Sequence, residues 1–302
     1  MADKFGRIFE IIVDTKDEGS FTITSPYTVE FNVVRKTLAS ANEATITIYN
    51  LNQTSRSLIF KDPYTVRDED RRGIVFRAGY QAPESFGSKE PTTGAKTKLP
   101  IVFAGEVRQC YSVREGVDMK TELSCYDGGA ALSNSFTSNT IQSGEDLKNL
   151  IKSTIEDLKG VEKLTIGNIV STTSKRATAL WGNTADLIKE CTNNQFYIDC
   201  QKAYVLADNE VLMGEVTEIG PENGLLETPK RHEKMLDVTM MFEPRIRPSQ
   251  LISLKTVTAK NFVGLYKVIG VHHQGVISGA VSGTCTTTVT LIDSHPYVLV
   301  EG

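Results

Sequence analysis

Val29-Glu30-Phe31-Asn32-Val33, followed by Ala44-Thr45-Ile46-Thr47-Ile48-Tyr49-Asn50-Leu51, is the stretch that decides the fold class. Successive side chains on a strand point to opposite faces. Apolar residues two apart with polar ones between them therefore predict strands with one buried and one wet face. Asn50-Leu51-Asn52 ends the second strand. A short helical turn over 53–60 follows and is stopped by Asp62-Pro63, because proline disfavours the helical region for the residue before it.

Working outward, 74–80 is another strand, and 81–98 is a polar stretch rich in Gly, Pro, Thr and Lys that predicts a long loop. Segments 101–113 and 118–126 form a hairpin, with Glu115-Gly116 as the turn. That centring sets Cys110 opposite Thr121 and Cys125 opposite Glu106, so the two cysteines are not cross-strand partners. The middle of the chain changes period. Leu147, Leu150, Ile151, Ile155 and Leu158 recur at helical spacing over 145–159, with Ser143 and Asp146 as a capping box and Gly160 as the stop. A shorter helix covers 184–193, and 196–198 with 204–206 make a small hairpin turning at Gln201-Lys202, a poor turn sequence. Strand alternation returns with Leu236, Val238, Met240 and Phe242, and continues over 251–258, 264–272 and 284–292. The order is β, then α/β, then β, with divisions at 1–135, 136–222 and 223–302.

A chain of 302 residues can bury an extensive core. Its formal net charge of -4 gives no support to nucleic-acid capture, which rests on a basic excess. A mildly acidic surface suits passage of a polyanion better than its retention. The five cysteines, Cys110, Cys125, Cys191, Cys200 and Cys285, form no C-x-x-C pair and read as reduced, buried thiols made in a reducing cytosol. The N-terminus carries no apolar signal region and no run approaches membrane-spanning length, so the expectation is a protein made soluble in a cytoplasm, with no membrane insertion of its own.

Candidate chemistry is sparse. His272-His273 is adjacent on a strand, so the rings point to opposite faces and do not share a metal; His295 and Cys285 add no ligand spacing. Asp17-Glu18 and Asp68-Glu69-Asp70 lie in polar segments and read as solvated charge, although paired carboxylates can serve glycoside hydrolysis. There is no G-x-S-x-G elbow, no phosphate loop and no dinucleotide fingerprint. Gly275 to Gly283 reads as a hairpin loop, Arg245-Ile246-Arg247 as a surface turn, and the single tryptophan, Trp181, as a packing residue ahead of the second helix. The expectation is a non-enzyme with no catalytic, cofactor-binding or metal-binding residues.

Five stretches in order resemble the baseplate hub family of contractile-tailed bacteriophages, related to the hubs of contractile injection systems. They are Ala44 to Leu51 with Thr54 and Arg56, Gly79-Tyr80 with Val102-Phe103-Ala104-Gly105-Glu106-Val107, and Arg114 to Asp118 leading to Leu123-Ser124-Cys125-Tyr126-Asp127-Gly128. The last two are Gly224 to Pro229 leading through Leu236-Asp237-Val238 to Glu243-Pro244-Arg245-Ile246, and Gly264-Leu265-Tyr266-Lys267-Val268 with His273-Gln274-Gly275. The resemblance implies two tube-like β-barrel domains, at 1–135 and 223–302, separated by a small α/β domain at 136–222. It implies a homotrimer, a ring adapting the six-fold tail tube to the three-fold spike, with DNA passing transiently through its lumen without specific binding. The implied partners are the spike protein, tail tube or tube-initiator ring proteins, baseplate wedge proteins and the tape measure protein, all in the tail baseplate of a virion assembled in the host cytoplasm. Two other classes stay open: a tail-associated cell-wall hydrolase, and a receptor- or carbohydrate-binding β protein of the tail tip.

Overall fold

The computed structural model describes residues 4, 6–15, 19–60, 71–81, 99–161, 163–168, 176–279 and 283–302. The long loop expected over 81–98, the acidic pairs 17–18 and 68–70, and the Asp62-Pro63 stop lie outside these residues, apart from Gln81.

Alternation makes the strands. In β3 (Thr28–Lys36) Val29, Phe31 and Val33 point inward and Glu30 and Asn32 outward; β4 (Asn42–Tyr49) buries Ala44, Ile46 and Ile48. These two form the middle of a 14-stranded sheet. From β4 the sheet runs to β7 (Asp118–Asp127), β6 (Ile101–Glu115), β5 (Gly73–Tyr80), β1 (Arg7–Asp14) and β2 (Ser20–Thr24). From β3 it runs the other way, to β17 (Gly264–Ile277), β18 (Cys285–Ile292), β15 (Met235–Met241) and β14 (Lys230–His232). Every step along this path is antiparallel. β17 also pairs with β16 (Gln250–Leu254), which lies parallel to β13 (Glu210–Ile219); β19 (Val298–Val300) adds to β13 in parallel.

β17 is the strand that joins the two ends of the chain. Its first half pairs with β16, its second half with β3, and β18 follows it along most of its length. At Gly275 the backbones come so close that an added Cβ would lie 2.6 Å from the Cα of Cys285, which explains a glycine inside a strand. The apolar interior crosses the same seam. Phe242, which immediately follows β15, packs against Phe31 of β3 at a ring separation of 5.7 Å and belongs to the core of the N-terminal strands. A second core gathers Leu236, Val238, Ile252, Val268 and Leu291.

The middle of the chain builds a separate unit. It contains α2 (Gly129–Asn134), β8 (Phe136–Ile141), α3 (Leu147–Glu156), β9 (Lys163–Ile166), β10 (Thr178–Asn183), α4 (Thr184–Cys191), β11 (Phe196–Asp199) and β12 (Lys202–Val205). Its own core holds Ile151, Ile155, Ile188, Phe196, Ile198 and Val205. The mainly β class with an α/β middle is therefore the observed one, and α1 (Gln53–Ile59) follows the second strand of the opening stretch as expected.

Several local expectations shift. The first hairpin pairs Glu115 with Asp118, leaving Gly116-Val117 as the loop, and a bulge lies between Val107 and Gln109. Gly116 takes the left-handed first position at φ 63°, which the sequence reading gave to the second. Cys110 therefore faces Leu123 and Cys125 faces Val107. The second hairpin turns at Cys200-Gln201, not Gln201-Lys202, with both residues left-handed at φ 50° and 62°. The N-cap of helix α3 is Asp146, whose side chain accepts from Lys148 N at 3.0 Å. β16 ends at Leu254, short of 258, whereas β17 continues past 272 to Ile277.

Candidate functional site

Because the strand period is two, one face of this sheet is buried and the other is assembled from every second residue. Across the registers Thr239, Thr288, His272, Val34, Glu43 and Tyr126 lie side by side, from β15 through β18, β17, β3 and β4 to β7. The next row is Met241, Thr286, Gln274, Asn32, Thr45, Ser124 and, on β6, Gln109. A third runs Val276, Glu30, Thr47, Glu122 and Tyr111. The alternate residues His273, Phe31, Val33, Ile46 and Leu123 are fully inside. The outer face is thus one continuous surface spanning both ends of the chain.

Its chemistry is hydroxyl, amide and carboxylate. Thr290 donates to Asp237 at 2.8 Å, Thr239 and Thr288 share a hydrogen at 3.3 Å, and His272 Nε2 meets Asn32 Oδ1 at 2.8 Å. Tyr49 donates to Glu30 at 3.0 Å; burial and this carboxylate raise its pKa. Lys120 forms an ion pair with Glu115 and sits 5.4 Å from the Tyr49 ring centre, while Arg108, at the bulge, sits 5.0 Å from that of Tyr126. Lys120 and Arg108 are engaged by aromatic rings or a carboxylate, Lys36 is exposed beside His272, and Glu30, Glu43, Glu122 and Asp237 outnumber these three cations. A face without a basic excess is poorly suited to retaining a polyanion.

The histidines divide as the strand period requires. His272 is half-buried on the outer face, its pKa lowered by burial and by Lys36. His273 is inside, with Nδ1 at 2.9 Å from Thr287 Oγ1 and its ring edge-on to Phe242 at 5.6 Å. Burial and the charge of Arg35 hold it well below the usual histidine range. No group of three His, Cys, Asp or Glu that could hold a metal is found among the described residues. Arg245 and Arg247 point out on either side of the buried Ile246. No helix among the described residues is long and apolar enough to cross a membrane.

Trp181 corrects the sequence reading. It is 81% exposed on β10, and Phe136, 71% exposed on β8, lies diagonally beside it on the same face, because Trp181 pairs with Ser138 and Phe136 with Asn183. The residue before a helix was expected to pack. Here Asn183 caps α4, accepting from Ala185 N and Asp186 N, and Trp181, two residues earlier on β10, lies on the exposed face of that strand.

A family model described as Baseplate hub gp41 matches residues 8–274. No curated protein sequence matches the chain. Among solved structures, the tail protein from Neisseria meningitidis MC58 superposes with a TM-score of 0.59 at 8% identity, over 97% of this chain and 98% of that one. The prophage MuSo2 43 kDa tail protein from Shewanella oneidensis gives the same TM-score of 0.59 at 8% identity, over 94% and 98%. A Francisella PdpA–VgrG complex matches with a TM-score of 0.52 at 9% identity, over 97% of this chain but 59% of that one.

Proposed function

The chain belongs to the baseplate hub gp41 family of phage tail structural proteins, and from that premise we propose that it is a hub subunit whose outer sheet face lines a conduit. The observation that carries this reading is the continuous, largely polar surface from β15 to β6, on which carboxylates outnumber cations. Three copies form a ring joining the six-fold tail tube to a three-fold spike, each with two tube-like domains and an α/β insert; the divisions at 135 and 222 move to the ends of the α2-to-β12 unit, because Ala131 of α2 packs in the insert's core and β13 pairs with β16 and β19 in the large sheet. DNA passes the Thr, Asn, Gln and Glu side chains without being retained, since too few cations are available to displace its counterions. The contacts are a spike protein, tube or tube-initiator proteins, wedge proteins and the tape measure protein, within the virion baseplate after assembly in the host cytoplasm. Geometry rather than turnover does the work, so no catalysis is assigned.

The test has two parts. Light scattering on the protein with its spike gives a trimeric complex; a monomer in both its presence and absence overturns the ring. Glu43→Lys with Glu122→Lys leaves particle assembly unchanged and slows DNA delivery, by making the lining adhesive. Unchanged delivery removes the lumenal assignment of this face.

The exposed Phe136–Trp181 pair favours a second reading, a carbohydrate- or receptor-binding surface of the tail tip. Cell-wall binding lost in Trp181→Ala supports it; a zymogram that clears peptidoglycan would instead support the hydrolase class.

A further inference from the structure

The insert keeps its own apolar core, yet much of its grip on the sheet is polar. The Cys200-Gln201 turn sits in a socket made by β3, β4, β6 and β7. Arg35 donates to Asp199 twice, Nε to Oδ1 at 2.7 Å and Nη2 to Oδ2 at 2.6 Å, and Nη1 reaches the Val102 carbonyl at 3.3 Å. Asn42 Nδ2 donates to the Ile198 carbonyl at 2.9 Å. The Asp127 carboxylate accepts from the backbone N–H of Cys200 and, at 2.9 Å, from that of Gln201. On the far side Tyr197 donates to Ser249 at 2.8 Å and Lys267 to the Ala207 carbonyl at 2.6 Å.

Two features set this socket apart from an ordinary buried ion pair. Its charges do not balance, because Asp127 and Asp199, both buried, face the single guanidinium of Arg35. The turn itself is strained: Cys200 and Gln201 occupy a left-handed conformation that glycine or asparagine takes at lower cost, and Asp127 holds it there. A closed polar socket must satisfy every group, whereas an opened one exchanges each bond for one to water.

We propose that the insert is a releasable brace, whose Cys200-Gln201 turn leaves the Arg35–Asn42–Asp127 socket as a unit while β3, β4, β7 and β17 keep their ladders. The groups facing Asp127 are Asp199 at the end of β11, Cys200 on the turn and Arg35 on β3; His273 on β17 senses the charge of Arg35, and Tyr197 on β11 those of Asp199 and Arg35. Burial and the neighbouring Asp199 raise the Asp127 carboxyl to about 7. The docked socket therefore holds a proton that the opened one releases. Docking is tightest in mild acid and weakens as pH rises from about 4 towards about 7, by up to roughly tenfold per pH unit.

Hydrogen exchange on the full chain at pH 5.5 and 7.5, corrected for the intrinsic pH dependence of amide exchange, tests this. The β11 and β12 amides exchange at least tenfold faster than those of β3 and β4. Their protection relative to those strands falls about tenfold or more between the two pH values. Asp127→Asn abolishes that fall, and Asn42→Ala, which removes a bond and no charge, speeds β11–β12 exchange several-fold at both pH values. Equal exchange of β11–β12 and β3–β4 at both pH values overturns the proposal, as does an Asp127→Asn protein that keeps the wild-type pH dependence. Should a variant not fold, the wild-type comparison decides alone.

Discussion

The seam between the two ends of the chain and the seam between the insert and the sheet are built on opposite principles. The first is a backbone ladder reinforced by apolar packing: β17 against β3, with Phe242 between Phe31, Tyr80 and His273. The second relies on charges and single hydrogen bonds around Arg35, Asp199 and Asp127. An apolar seam tolerates imperfect geometry and loses stability in proportion to what is removed. A polar seam is specific, and it fails when one partner goes because the other is left buried and unpaired. The first suits two parts that must move as one, the second a part that must sit in one place or leave.

The sharpest way to break this contrast is Phe242→Ala. It opens a cavity where the N-terminal core meets the C-terminal strands, and costs about 3–5 kcal/mol as a single loss for the whole sheet in chemical denaturation. If the two ends then unfolded in separate transitions, the seam would be weaker than its packing indicates. Next comes Arg35→Met, which strands Asp199 inside and costs about 3 kcal/mol or more. Replacing the pair together, Arg35→Met with Asp199→Leu, recovers most of this; a double variant as damaged as the single one would show that the socket's hydrogen bonds or the remaining Asp127 carboxylate, not the charge of Asp199, set the cost. A pH titration of stability gives the third effect. Lys267 is buried and its pKa falls to about 8 from an ordinary 10.5, so the unfolded chain binds a proton that the folded one lacks between those values. Stability therefore rises as pH climbs from about 8 to about 10.5, by at most about 1.4 kcal/mol per unit. Lys267→Met removes that rise. The smallest effect is Trp181→Ala, within about 0.5 kcal/mol, since most of this residue is exposed. A larger loss would mean that the β8–β10 face is packed in solution.

Strands β3, β4, β7, β15 and β18 were legible because one face is buried and the other wet, which leaves period two in the sequence. β13 was not, because residues 213–216 are all exposed where its pairing with β16 shifts, breaking the alternation. β8 and β10 pair only with each other and carry Phe136 and Trp181 outward, the reverse of the usual signal. The hairpin registers were missed by small errors of turn position, and a bulge at 107–109 leaves no mark in composition. The outer face could be read as polar residues strand by strand, but its continuity depends on β17 pairing with β3, a contact between residues more than two hundred positions apart. The socket left least trace. Arg35 continues the inward pattern of Val29, Phe31 and Val33 as if it were apolar, and nothing near it announces Asp199 or Asp127 as partners.

β17 has one more consequence, a mechanical one. Its hydrogen bonds to β16, β18 and β3 all run across the strand, so a force along its axis loads many of them in parallel instead of unzipping them in turn. A load passing between β16 and β3 would be carried along this single strand, in shear, with the register shift at Val268–Gly270 as its one irregularity against β18.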